Sequence, residues 1–173
     1  ESIMAGMGLH PADAAAAEGW MSHRNTVPEW RDLLEQGLIA DTIEVSGTWS
    51  QIDAIYDDVI AALKTVHDCV NASAHSSHVY RSGINLYFTF ACMPKDASVM
   101  GDRYLESWDR ALTATAEAGG GIAHHHGSGR LRRDYLHHDL GENGLGLLRK
   151  IKQAIDPHAI LNPGNLLPPI EAD

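Results

Sequence analysis

Three consecutive histidines, His124, His125 and His126, stand between three glycines (Gly119 to Gly121) and a Gly-Ser-Gly turn that ends at Arg130. Imidazoles titrate near neutral pH, donate and accept hydrogen bonds and ligate metals, so three in a row mark a place for proton or metal chemistry. They offer little to an apolar core, where each would need a polar partner. The flanking glycines allow the backbone to come close to another segment. A second candidate is Tyr87, in the run Ile84-Asn-Leu-Tyr-Phe-Thr-Phe90. Strand alternation puts Ile84, Leu86, Phe88 and Phe90 on one face and Asn85, Tyr87 and Thr89 on the other. A phenol beside an imidazole is a workable acid–base pair. A metal site is the weaker reading, because adjacent strand residues diverge and no HxH, HxxxH or CxxC spacing accompanies the triplet. Arg31, Arg130, Arg132 and Arg133 are candidates for holding a phosphate or carboxylate. His10, His23, His67, His75, His78 and His158 read as surface or capping residues.

These residues need elements to position them. Pro11 to His23 reads as a short helix, and a second starts at Val27, with Thr26 as N-cap, Pro28 in its first turn and Gly37 as its stop. Leu38 to Val45 reads as a strand. An amphipathic helix follows from Ser50, with Ile52, Ile55, Tyr56, Val59, Ile60, Leu63 and Val66 on its stripe. His75 to Tyr80 and Ile84 to Ala91 form a hairpin through Arg81-Ser82-Gly83. A further helix spans Ser98 to Ala118 with Tyr104, Leu105, Trp108 and Leu112 apolar, and Gly119 stops it. Ile122 to His126 is a short strand, on which His124 and His126 share one face and His125 takes the other. The spacing leaves open which histidine faces Tyr87. Leu131 to Leu140 and Gly144 to Ile155 are closing helices, followed by a turn-rich tail.

The order strand, helix, strand, strand, helix, strand predicts an α+β fold. It is a ferredoxin-like βαββαβ antiparallel sheet with helices on one face, extended by helices at both ends. The domain reading is an N-terminal extension over 1–25, the ferredoxin-like domain with its closing helices over 26–160, and a tail over 161–173. One sheet face is left for solvent, ligand or another domain.

Composition narrows the class. The chain has 173 residues, 44% hydrophobic and 21% charged, which suits one globular domain. A net charge of −10 argues against general nucleic-acid binding. Cys69 and Cys92 are the only cysteines, and they read as free thiols in a reducing, cytoplasmic compartment. No apolar run is long enough to span a bilayer. GxGxxG, Walker and GxSxG motifs are all lacking.

The histidine block Gly119 to Arg133, the Tyr87 strand, the Arg31 helix and the tail Ile155-Asp-Pro-His-Ala-Ile-Leu-Asn-Pro-Gly-Asn165 resemble the C-terminal cap domain of FAD-linked oxidases of the vanillyl-alcohol oxidase type. Within them the resemblance is to the alkylglycerone-phosphate synthases, and it runs from about Trp20 to Leu167. The block has the synthases' histidine triplet followed by Gly-x-Gly-Arg-Leu-Arg. Arg81 stands where the synthases often have an acid, and the tail reads Asn-Pro-Gly-Asn rather than Asn-Pro-Gly-Lys.

The resemblance implies Tyr87 and His125 as catalytic residues, His124 and His126 lining or supporting the same site, and Arg31 and Arg130 holding substrate. It places Asn162 in a tail returning to the flavin domain. It implies FAD as cofactor, held mainly by an N-terminal domain absent from this sequence, so the chain is expected to be part of a longer enzyme and inactive alone. The implied reaction exchanges the acyl group of acyl-glycerone phosphate for a fatty alcohol, in ether-lipid synthesis. An FAD-dependent dehydrogenase or oxidase of 2-hydroxy acids or alcohols is the alternative, and a non-enzymatic ferredoxin-like interaction domain is the second. Expected partners are a small phosphate or carboxylate substrate of lipid-like character, the protein's own FAD domain and a second copy in a homodimer, with peripheral membrane association a further option.

Overall fold

A computed structural model describes residues 4–167 apart from 5, 9, 11 and 28. The chain divides into two compact units, residues 1–35 and 36–173. In the first, α1 (Ala14–His23) is capped by Asp13, whose carboxylate accepts from the Ala15 N–H at 3.0 Å. Helix α2 (Trp30–Glu35) starts later than Thr26 predicts. Asp32 reaches back to accept from the Glu29 N–H at 3.1 Å, the carboxylate half of a capping box. Pro11 and Pro28 lie outside the described residues.

The second unit contains β1 (Ile39–Thr48), α3 (Ile52–Lys64), β2 (Cys69–His75), β3 (Gly83–Cys92), α4 (Met100–Glu117) and α5 (Leu136–Ile155). The sheet is antiparallel in the order β1-β3-β2. Its helix side carries Ile43, Val45, Phe88 and Phe90, packed against Ile55, Val59 and Leu63 of α3 and Trp108 and Leu112 of α4. Phe88 is fully buried, and its truncation to alanine should cost about 3–5 kcal/mol. Tyr56 and Leu105 belong by spacing to the apolar stripes, yet both are exposed. In their place Ala111, Ala114 and Thr115 are buried on α4. Gly141, at φ +62°, breaks α5 near the expected junction between two closing helices. No described helix is long and apolar enough to cross a membrane.

The mixed α+β fold with an antiparallel sheet is as expected, with two local corrections. The hairpin strand β2 ends at His75, and residues 76–78 leave the ladder. The Asn85 side chain satisfies them instead, accepting from Ser76 Oγ and from the Ser77 and His78 N–H groups at 3.0 to 3.3 Å. The fourth strand over Ile122–His126 is not formed. What survives is one bridge on the free edge of β1, where Ser46 and Gly121 exchange N–H···O bonds of 3.0 and 2.8 Å. This is the position a fourth ferredoxin-like strand would take. Beyond it the backbone turns away, because the next N–H groups find a carboxylate rather than the β1 backbone.

The glycines before the triplet owe their place to this crossing. A Cβ on Gly120 would lie 2.8 Å from Ile55 Cδ1 and 2.9 Å from Thr115 Cγ2. Gly119, at φ +77°, ends the chain's exit from α4.

Candidate active site

On the face away from α3 and α4, the register aligns Glu44 of β1, Tyr87 of β3 and His75 of β2 in one row. Glu44 is fully buried although it carries a charge. Its Oε2 accepts the backbone N–H groups of both His124 and His125 at 3.1 Å. Its Oε1 accepts from Asn85 Nδ2 at 3.1 Å and faces the Nδ1 atoms of His124 at 2.8 Å and His125 at 2.9 Å. Burial pushes the Glu44 carboxyl up, but the donors from Asn85, the two backbone amides and His124 prevail and hold it at about 2 against an ordinary 4.5. The group is therefore ionised and only accepts.

The ring nitrogen hydrogen-bonded to Glu44 Oε1 is His124 Nδ1, which carries the hydrogen because the carboxylate only accepts. His125 Nδ1 stands 2.9 Å from both His124 Nδ1 and Glu44 Oε1, at ion-pair distance from the carboxylate. Tyr87 Oη lies 2.7 Å from His125 Nε2, and the phenol donates in the tautomer that leaves this nitrogen unprotonated. Phenol, imidazole and buried carboxylate thus stand in one line of contacts. The imidazole is partly exposed, with 41% of the His125 side chain open to solvent, so the pair can be reached from outside.

Neighbouring rings pack around these groups. His75 stacks on Tyr87 at 5.0 Å with 3° between the planes. His126 meets the Tyr87 ring edge-on at 5.2 Å. His78 lies 4.7 Å from the His125 ring. Arg132 fixes the loop: Nε donates to Ile122 O at 2.9 Å, Nη1 to Gly127 O at 3.2 Å and Nη2 to Glu44 O at 3.1 Å, with the guanidinium 4.8 Å above the Trp108 ring. It thus grips both ends of the triplet and β1 together, and it is a structural clamp rather than an anion site.

The tertiary structure brings Tyr87, His124, His125 and His126 together. Arg130 is exposed just past the triplet and makes no ion pair among the described residues. Arg133 is paired with Asp134 at 2.7 Å. Arg31 is exposed on α2 in the first unit. Asn162 is exposed in the tail, at φ +45°. The tail itself is tied down by Leu166 N–H donating to Gly129 O at 3.1 Å and by Arg133 Nη1 donating to Gly164 O at 3.2 Å.

His75 and His78 are exposed, as expected of surface residues, and their rings also adjoin Tyr87 and His125. Glu44 and Asn85 went unread as site residues, although a carboxylate flanked by Ile43 and Val45 is the signal that could have found the first. The ligating atoms of His78, His124 and His125 lie within 4.8 Å of one another, a group that could accept a divalent ion. The bend in the triplet loop makes His124 and His125 converge, where a strand would have made them diverge. A cavity of about 870 Å³ between the end of α5 and the tail holds none of this chemistry. A smaller cleft of about 520 Å³, lined by Ser46, Thr48, Gln51, Tyr80 and Ser82, opens beside His124.

The family model for FAD linked oxidases, C-terminal domain, matches residues 1–166. The chain belongs to this family. It is 32% identical over 173 residues to the uncharacterized FAD-linked oxidoreductase YgcU of Escherichia coli K12, covering 90% of this chain and 34% of that protein. It is 31% identical over 159 residues to the alkyldihydroxyacetonephosphate synthase of Trypanosoma brucei brucei, covering 86% of this chain and 25% of that protein. A solved alkyldihydroxyacetonephosphate synthase shares the fold with a TM-score of 0.55 at 23% identity, covering 90% of this chain and 24% of that one. The chain thus spans a quarter to a third of the length of these relatives.

For an FAD-linked oxidase C-terminal domain, the donor set fits one part of the flavin. The glycine run is no pyrophosphate cradle, because the N–H groups of Gly119, Gly120 and Gly121 bond to Ala116, Thr115 and Ser46 carbonyls. The polar sheet face, with a reachable phenol and imidazole, suits the ring system.

Proposed function

We propose that this chain is the catalytic cover of an FAD-dependent enzyme, moving a proton beside the flavin ring through Tyr87, His125 and Glu44. The observation that carries this reading is the relay itself: Tyr87 Oη at 2.7 Å from His125 Nε2, and His125 Nδ1 at 2.9 Å from the buried Glu44. Bound flavin supplies the electron-accepting ring. Tyr87 takes a proton from the substrate as its own passes to His125 Nε2, and the ionised Glu44 stabilises the imidazolium through Nδ1–H. His124 and His126 shape the site. Arg130 holds the substrate's phosphate or carboxylate, Arg31 is a separate anion-binding candidate on its own unit, and Asn162 lies in the tail that returns to the flavin-binding part. Exposed Ile151, Ile155, Ile160 and Leu161 around the tail groove support such a docking of the remaining chain.

The reaction we favour is the exchange of an acyl for an alkyl group on glycerone phosphate, because the synthase relatives match 86–92% of the chain. Oxidation of a 2-hydroxy acid is the second reading. It is supported by 43% identity over 58 residues to the D-lactate dehydrogenase [cytochrome] 1, mitochondrial, of Saccharomyces cerevisiae, which covers 34% of the chain. The intact flavoprotein decides between them. Incorporation of labelled fatty alcohol into acyl-glycerone phosphate without dye reduction is the expected result. Dye reduction by D-lactate with no incorporation would overturn the exchange reading, and full turnover by Tyr87→Phe and His125→Asn variants would overturn the relay.

A further inference from the structure

Cys69 opens β2, Cys92 closes β3, and the two are direct register partners in the antiparallel ladder. A bulge between Cys69 and Asn71 creates this pairing. With uninterrupted pairing from Asn71 backwards, Val70 would stand opposite Cys92. Instead Val70 is 61% exposed and Cys69 packs against the core beside Cys92. The local structure turns a valine to water in order to set one cysteine against another.

We propose that Cys69 and Cys92 are a reversible dithiol–disulfide couple, oxidised by low-molecular-weight disulfides such as oxidised glutathione. Directly opposed residues of an antiparallel pair have Cα atoms about 4.5–5.5 Å apart, inside the span of about 4.4–6.8 Å that a disulfide requires. Both thiols are free, and each has only a weak partner: Cys69 Sγ at 3.3 Å from Asn71 O, and Cys92 Sγ at 3.7 Å from Ser107 Oγ. Burial, together with the facing Cys69, raises the Cys92 thiol, so the partly exposed Cys69 reacts first.

The Cys69 thiolate attacks the small disulfide, breaking its S–S bond, forming a mixed disulfide and releasing one thiolate. Cys92 then displaces the second thiolate as the Cys69–Cys92 bond forms, its proton passing to that departing thiolate. Two protein thiols are oxidised by two electrons, and one small disulfide is reduced to two thiols. The bond staples β2, which among the described residues is an edge strand paired with β3. The far end of β2 is His75 against Tyr87.

The chain treated with oxidised glutathione tests this. Expected are a monomer lighter by two hydrogens with no thiol left to a colorimetric reagent, a Cys69–Cys92 cross-linked peptide, and a melting temperature higher by about 5–10 °C. Dithiothreitol should reverse all of these. Cys69→Ser, at the partly exposed position, should abolish the internal cross-link and the thermal shift, and Cys92→Ala should do the same. Stable glutathione adducts without the cross-link, a disulfide dimer through Cys69, or a melting rise that persists in Cys69→Ser would overturn the proposal.

Discussion

Glu44 and Tyr87 are cross-strand partners on β1 and β3, yet they are joined through a third residue. His125 stands between them, with Nδ1 2.9 Å from Glu44 Oε1 and Nε2 2.7 Å from Tyr87 Oη. The sheet holds the two ends of the relay in register, and a loop remote in sequence supplies the middle.

Tyr87→Phe removes the phenolic proton and leaves the stacked ring in place against His75. In the intact flavoprotein, turnover should fall by about 10²- to 10⁴-fold, with thermal stability close to that of the parent. Steady-state kinetics beside a melting curve checks this. Loss of turnover only in proportion to lost folded protein would assign Tyr87 a packing role.

Glu44 should impose a pH dependence on stability. Its folded-state value of about 2 lies below the ordinary 4.5, so its contribution is fully present above about 4.5. It drains away as pH falls and is gone below about 2. The shift corresponds to about 3 kcal/mol. Glu44→Gln would aim an amide donor at the His124 and His125 N–H groups or lose one acceptor. Urea unfolding at pH 7, 5 and 3 should show the variant's deficit largest at pH 7 and shrinking towards pH 3. A deficit that does not vary with pH would count against an ionised, hydrogen-bonded Glu44.

Arg132→Met retains the aliphatic bulk under Trp108 and removes three hydrogen bonds to carbonyls. Stability should fall by about 2–4 kcal/mol. Imidazole NMR signals of His124 and His125 should shift with the loop while Phe88 in the core stays in place. Lysine at this position should restore little, since one ammonium cannot span Ile122, Gly127 and Glu44 carbonyls.

Added zinc should inhibit. An ion captured by His78, His124 and His125 withdraws His125 from Tyr87 or Glu44, so turnover should fall as zinc rises and recover with chelator. His78→Ala should blunt the inhibition. Protein stripped with chelator should keep its turnover, and activity that disappears with the metal and returns on its addition would instead assign a resident ion.

Much of the scaffold was legible in local pattern. Period-two alternation over Ile84–Phe90 put Tyr87 on the open face, and three- and four-residue spacing located α3 and α4, because those signals depend on burial of one side only. The glycines beside the triplet correctly announced a close approach. Pattern failed where the ladder partner was missing. The strand expected over Ile122–His126 has β1 beside it for a single bridge, after which a side-chain carboxylate outcompetes the backbone for its N–H groups.

The resemblance had already named His125, while strand alternation left open which histidine meets Tyr87; what the tertiary structure alone decided was the contact of His125 with Tyr87 and the gathering of Glu44, His75, His78 and Arg132 around it. Strand alternation opposed His125 to His124 and His126, but the loop that replaces the strand turns His124 and His125 onto one oxygen. Those contacts join residues some eighty positions apart, through a guanidinium and a carboxylate whose partners have no local periodicity. The residue types for proton transfer were therefore visible in the sequence. Their order in the relay was set by where one buried charge could find enough donors to stay ionised.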